Sequence, residues 1–398
     1  MFSCYSESGK DEPQINPSYF YYNDEDKITP EITEHYTLSF LAAGDNLLHS
    51  SVYMPLMIGE KPDLSFLYSE VKDIVEKADV AFINQETVMA GESYGYTGYP
   101  LFNAPQRIAN ALADTGFDII NLANNHAMDM GSSGLYATLD FLDTMEEFTV
   151  IGARKQGESA RIITKNNITL GFLSYTYSLN GIALPSNNPN LVSLINRNKM
   201  SEEITALRPL CDFLIVSMHW GEEYRLQPGN DQISLAYFLA EHNVDLIVGH
   251  HPHVLQKAEL IRLDDGRKTL CFYSLGNFIS HQNERERIIG ALMAVTFSKT
   301  VSNINPASLS IINYGFIPVI THYDRSYRNT KSYPLFLYTD DLLQSHGLRY
   351  SGDGLSMNFF NTVLDRLNAR IIMHNPFIKQ NPLIRMGESL TKYQCLLQ

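Results

Sequence analysis

The segment VDLIVGHHPHVLQ (244–256) places His250, His251 and His253 directly after an apolar run. A turn that stops a strand needs Asn, Gly or Pro; it has no use for three imidazoles. Four other apolar runs end in the same manner. They are LSFLAAGDNLLH (38–49), VAFINQE (80–86), FDIINLANNHAMD (117–129) and FLIVSMHWGEEY (213–224). Each stops at a cluster rich in Asp, Glu, Asn or His. Buried strands that all release such side chains at one end describe a ligand site at a sheet edge, where open α/β sheets bind their ligands. Imidazole and carboxylate together suit a borderline divalent cation.

Between these runs lie helical patterns at 65–77, 133–146 and 231–242, with another opened by Pro105 and closed by Gly116. Alternating strands and helices at this spacing predict an α/β fold whose sheets are covered by helices. The pairs 160–164 with 168–175, and 255–262 with 269–274, are joined by Asn166-Asn167 and Asp264-Asp265-Gly266. They read as hairpins, so the sheets are expected to be mixed. Further on, 294–298 and 308–323 read as strands and 356–370 as a helix. The expected organisation is a polar tail (1–34), a main domain (35–325) and a partly helical C-terminal extension (326–398).

The 398 residues are 44% hydrophobic and carry a net charge of -14. That balance argues against nucleic acid as a partner, because such binding rests on neutralising phosphates. It leaves an anionic substrate open, since bound cations reverse the local sign. No apolar run approaches the ~20 residues needed to span a bilayer, and no basic segment followed by an apolar stretch opens the chain. Cys4, followed by a polar tether, looks like the mature start of a lipoprotein, which would require a longer precursor. The expected location is the cell surface or outside the cell, membrane-anchored through such a segment, with a cytoplasmic one left open.

Each cluster has a chemical reading. Asp45, after Gly44, and His49 four residues on are metal-type donors. Asn84 and Glu86 share one side of an extended strand, and the carboxylate suits a bridge between two ions. Asn125 and His126 supply a neutral oxygen ligand and a proton carrier. His219 precedes the single tryptophan, Trp220. His251 and His253 flank Pro252, which stiffens their loop. At least six O and N donors without a thiolate exceed what one tetrahedral zinc needs, and suit two ions about 3.5–4 Å apart. Substrate contacts are expected from Asn84, Glu223, Tyr224 and Asn277, with Arg107, Arg225 or Lys257 near the clusters to hold an anion.

Taken together, AAGDNLLH, INQET, NLANNHAMDMG, MHWGEEY, VGHHPHVLQ and YSLGNFI, in order over 38–280, resemble the CapA family. These are capsule-synthesis proteins tied to poly-γ-glutamate, within the calcineurin-like metallophosphoesterase superfamily. The resemblance implies a four-layer α/β/β/α metallo-dependent phosphatase-like sandwich. It implies two divalent ions (Mn, Fe or Zn) held by Asp45, His49, Glu86, Asn125, His219, His251 and His253. Asp45, Asn125 and His126 are the catalytic candidates. His250 precedes the His-x-His pair and is not assigned. Two departures weaken any transfer of phosphatase activity: the first segment reads Asp-x-x-x-His, and Glu86 stands where the superfamily has an aspartate.

Three functions follow as expectations. The first is a metal-dependent, hydrolase-like protein of capsule or poly-γ-glutamate metabolism. The second is a phosphoesterase acting on a small or lipid-linked phosphate. The third is a non-catalytic polymer-binding subunit of a membrane-bound capsule synthase. The partners in view are poly-γ-glutamate or another anionic substrate, and the synthase subunits.

Overall fold

A computed structural model describes residues 31–58, 63–157, 160–351, 354–367 and 369–377. Cys4 and the rest of the tail before residue 31 lie outside the described residues. The strands, in chain order, are β1 (Thr33–Asn46), β2 (Val80–Gln85), β3 (Ile119–Asn121), β4 (Thr149–Ile151), β5 (Arg161–Lys165), β6 (Ile168–Thr176) and β7 (Phe213–His219). They continue with β8 (Leu246–His250), β9 (Ala258–Arg262), β10 (Lys268–Phe272), β11 (Asn277–Ile279), β12 (Ile289–Ser302), β13 (Ser308–His322) and β14 (Lys331–Pro334). One sheet runs β14-β13-β12-β1-β2-β3-β4, with β11 also paired to β1; the other runs β5-β6-β7-β8-β10-β9. Both mix parallel and antiparallel pairs, as the hairpins predict.

Strand alternation sorts the side chains into layers. Leu38, Phe40 and Ala42 of β1 meet Phe172 of β6, Phe213 and Ile215 of β7, and Leu246 and Val248 of β8 in the core between the sheets. Leu41 and Ala43 face the other way, onto Ile108 and Leu112 of the helix Arg107–Thr115 and Leu135 and Leu139 of Gly131–Leu142. In the second sheet Leu214, Val216 and Ile247 pack on Met200 and Ile204 of the helix Arg197–Leu207 and on Ala236 and Leu239 of Asn230–Glu241. The result is a four-layer α/β/β/α sandwich. These strands are covered on both faces and therefore read as nearly continuous apolar runs.

Both predicted hairpins form. Asn166 and Asn167 take left-handed φ of 52° and 57°, the conformation a two-residue turn requires. The helix expected over 65–77 is instead a 3₁₀ turn, Ser65–Tyr68, and a short helix, Lys72–Val75. At the break the Ser69 hydroxyl donates to the Phe66 carbonyl, offering the backbone an alternative to the helix ladder. The helix Arg197–Leu207 has no counterpart in the sequence reading, although the Asn196 side chain caps it by accepting from Lys199 N–H. Beyond residue 325, β14 completes the edge of the first sheet, and Phe359, Phe360, Val363 and Leu364 of the helix Met357–Asp365 join the core between the sheets. No helix among the described residues is long and apolar enough to cross a membrane.

Candidate metal centre

The parallel strands β1, β2 and β3 of one sheet and β7 and β8 of the other deliver their C-terminal ends to one place. Register fixes this: Asp45 lies beside Asn84 across β1 and β2, and His219 beside His250 across β7 and β8. The start of β11 meets them as well: its first residue, Asn277, pairs with Asp45. Two glycines permit the approach. A Cβ on Gly44 would run into the Gly276 carbonyl oxygen, and one on Gly249 into that of Tyr273.

Three groups of donor atoms lie close enough to hold an ion: Asp45, Glu86 and His253; Glu86, His219 and His251; and Glu223, His251 and His253. Glu86 belongs to two of them, and its Oε1 sits 3.3 Å from His219 Nε2 and 3.7 Å from His253 Nε2. Asn125 joins the second group, its Oδ1 accepting from His219 Nε2 at 2.9 Å. Both Glu86 oxygens, and Nδ1 of His219 and of His251, are buried without a hydrogen-bond partner. Leaving such groups unpaired costs about 1–3 kcal/mol each, so their convergence fits a cation among them. The donor set, imidazole with carboxylate and amide oxygen, is that of a divalent metal.

The electrostatics divide the donors. Burial pushes the Asp45 carboxyl up, but hydrogen bonds and charge from His250 and His253 outweigh it and hold the group well below its usual range. Glu86 has no such bonds. Burial, and then the neighbouring Asp45 charge, push it up to about 8. Burial opposes a proton on His253, yet Glu86 and Asp45 together raise it to about 9. Burial drives His219 and His251 well below the usual imidazole range, which keeps them neutral as ligands must be. Backbone strain concentrates here too: His251 and His253 take φ of 96° and 57° on either side of Pro252, a conformation bulky residues avoid.

The other expected residues fall in three places. His126 is braced, its Nδ1 2.8 Å from Asp129 Oδ2, which also accepts Phe102 N–H. His49 lies to one side, edge-on to Phe102. Its Nδ1 is near the Leu47 carbonyl, and it belongs to none of the three donor groups. Asn84 and Asn277, expected to touch substrate, are buried behind the ligands. Asn84 donates to Asp45 Oδ1 at 2.9 Å, and Asn277 Oδ1 lies 3.0 Å from His253 Nδ1, so their amides are taken up by ligand side chains. Glu223 is exposed yet lies within ligand distance of His251 and His253. Tyr224 tilts over His253. Of the cations considered, Arg225 pairs with Glu222 and Lys257 with Glu259, and Arg107 is exposed at its helix start.

Several contributors were given no role by the sequence reading. His250 stacks on Phe82, with Nδ1 3.4 Å from Asp45 Oδ1. The strand period was the available signal: His250 is in phase with Leu246 and Val248, hence inward. Asn121 donates to Asn84 and accepts from Ser174, extending the support behind Asp45 across both sheets. Tyr177 lies 4.6 Å from the His251 ring and is half exposed at the mouth.

Comparison with known proteins locates these features. The model of the bacterial capsule synthesis protein family PGA_cap matches residues 39–282. The PGA biosynthesis protein CapA of Bacillus subtilis (strain 168) is 34% identical over 176 residues, 43% of this chain and 44% of that protein. The capsule biosynthesis protein CapA of Bacillus anthracis is 31% identical over 192 residues, 45% of this chain and 44% of that protein. The chain thus spans less than half the length of these relatives. Among solved structures, the calcineurin-like phosphoesterase YfkN from Bacillus subtilis aligns with a TM-score of 0.45 and 13% identity, covering 80% of this chain and 99% of that one.

Proposed function

This chain belongs to the bacterial capsule synthesis protein family PGA_cap, and we propose that it carries out metal-dependent hydrolytic or acyl-transfer chemistry on poly-γ-glutamate at the cell surface. The observation that carries the reading is the set of buried donors without partners, Glu86, His219 and His251, at the meeting point of the two sheets. In this reading Asp45, Glu86 and His253 hold one divalent ion. Glu86, Asn125, His219 and His251 would hold a second. Mn, Fe and Zn all suit the donors. Such ions supply Lewis acidity to a scissile carbonyl oxygen.

The side chains do the rest. His250, Asn84 and the backbone N–H of His251 fix the Asp45 carboxylate. Asn277 orients His253, as an outer partner does for a ligating imidazole. Asp129 holds His126 through Nδ1, which leaves Nε2 to carry a proton to a departing amide nitrogen. Tyr177 and Tyr224 wall the mouth and restrict water. The names of the two Bacillus relatives support the polymer as substrate.

Elemental analysis of the purified protein beside an Asp45→Ala/His253→Ala variant tests the site. About two ions per chain are expected, and their loss in the variant. Turnover of γ-glutamyl oligomers, abolished by His126→Ala, is the expected activity. Absence of metal after supply of Mn, Fe and Zn would overturn the catalytic reading in favour of a polymer-binding subunit. Turnover confined to aryl phosphate esters would move the function to phosphoester hydrolysis.

A further inference from the structure

The centre gathers three carboxyl groups. Asp45, Glu86 and Glu223 converge on it, and the whole chain carries -14. A polymer with a free carboxylate on every unit needs a fixed cation beside the bond being processed, because ions held by ligands do not register the neighbouring units. Arg287 is placed for that. Its guanidinium carbon lies 3.4 Å from the centroid of the Tyr224 ring, and the Tyr224 ring lies 6.1 Å from that of His253.

Both ends of this arrangement are tied to the centre. The Arg287 carbonyl accepts from Asn277 Nδ2 at 2.8 Å, the same Asn277 whose Oδ1 faces His253. Asn277 Nδ2 also donates to Gln282 Oε1 at 3.0 Å, and Gln282 Nε2 lies 3.4 Å from the Tyr224 hydroxyl. Tyr224 itself is held in a left-handed conformation, φ 66°, with its N–H on the Pro252 carbonyl at 2.7 Å. Pro252 is the residue between the two ligand histidines. A stacked guanidinium keeps its in-plane N–H groups for a bidentate carboxylate partner. In the structure one of them is 2.8 Å from Glu284 Oε2, whose side chain is 61% exposed. The Arg287 side chain is itself only 19% exposed, so the pair is open to water on the Glu284 side alone, and it is there that an incoming carboxylate can take the place of Glu284.

We propose that Arg287, stacked on Tyr224, anchors the free carboxylate of the glutamyl unit adjacent to the one processed at the metal centre. This rests on poly-γ-glutamate being the substrate. The test is calorimetric titration of the metal-loaded protein with a synthetic γ-linked glutamate hexamer, at two salt concentrations, for wild type, Arg287→Gln, Arg287→Lys and Glu284→Ala. Arg287→Gln is expected to weaken binding about 10- to 100-fold and to flatten its salt dependence, with metal content unchanged. Arg287→Lys, which keeps the charge and the fold-stabilising stem but loses the fork, is expected to restore part of the affinity. Glu284→Ala is expected to bind more tightly than wild type. Hexamer binding by Arg287→Gln or, should that variant not fold, by Arg287→Lys with the affinity and salt dependence of wild type would overturn the anchor while leaving the polymer reading intact. A wild-type protein that holds its metal and binds no hexamer would overturn the polymer reading and the anchor with it.

Discussion

Two groups of buried histidines lie in this molecule, and they are built on opposite plans. His219, His251 and His253 stand at strand ends with carboxylates between them; ring nitrogens of His219 and His251 lack partners. His281, His322 and His346 lie together at the C-terminal end of β13, among Tyr323, Tyr327 and Tyr338. There the hydrogen bonds are internal: His281 to Ser51 and Thr330, His322 to the Tyr338 hydroxyl, and His346 to the Thr321 carbonyl and Leu348 N–H. Burial alone therefore does not mark a ligand. Unmet hydrogen-bonding capacity within a set of converging donor atoms does.

The largest expected consequence is in acid. Burial lowers His281 to about 3 and His322 and His346 to about 4, all in one direction. The unfolded chain takes up protons below about 6.5 while the folded one does not. Stability is thus fully present above that pH and is lost as pH falls towards 4, at up to about 1.4 kcal/mol per pH unit for each histidine. In the metal centre the shifts oppose one another, Glu86 and His253 upward and His219 and His251 downward. Urea unfolding between pH 7 and 4.5 is expected to show the loss, and His322→Phe with His346→Leu to flatten it. An unaltered slope in that double variant would leave the acid sensitivity with His281, His49 or the metal centre.

Next is the response to metal. Saturation a thousandfold above Kd adds about 4 kcal/mol, so Mn or Zn is expected to raise the melting temperature of wild type by several degrees. Glu86→Gln removes the carboxylate common to two donor groups. It is expected to abolish that rise while leaving the metal-free protein at least as stable as wild type, because a buried acid without partners is lost. His346→Ala is expected to do the reverse: lower stability by about 1–3 kcal/mol, with or without metal, through loss of its bond to the Thr321 carbonyl. Equal metal-induced shifts in Glu86→Gln and wild type would dissolve the distinction between the two groups.

How far the sequence revealed this difference depends on the distance over which each group is assembled. The centre was legible because each donor closes its own apolar run, so five local patterns point to one sheet edge. Asp45, Glu86, Asn125, His219, His251 and His253 do come together there. What supports them was not legible. Asn121 and Ser174 read locally as ordinary strand residues and His250 as the unassigned neighbour of the His-x-His pair, and their value lies in partners on other strands, such as the bond from Ser174 to Asn121 across the two sheets. Arg287 is invisible for the same reason: its ring partner is Tyr224, and its tether is Asn277. The second histidine group gives no pattern at all, since its members enter from separate segments around 281, 322 and 346.

His250 is where the two plans meet, and it yields the smallest effect. It is buried like the structural histidines, yet it touches a ligand carboxylate, at 3.4 Å from Asp45 Oδ1. Stacked on Phe82, it has both ring nitrogens without hydrogen-bond partners yet belongs to none of the three donor groups, so its link to the centre is Asp45. His250→Phe keeps the volume and the stacking and removes the ring nitrogens. If His250 positions the ligand, metal affinity is expected to fall about 10- to 100-fold, the usual cost of losing an outer partner. The apo melting temperature should stay within a few degrees of wild type. Competition with a chelator of known affinity reads the first quantity and a thermal scan the second. A variant that melts far below wild type but binds metal normally would place His250 with the structural histidines.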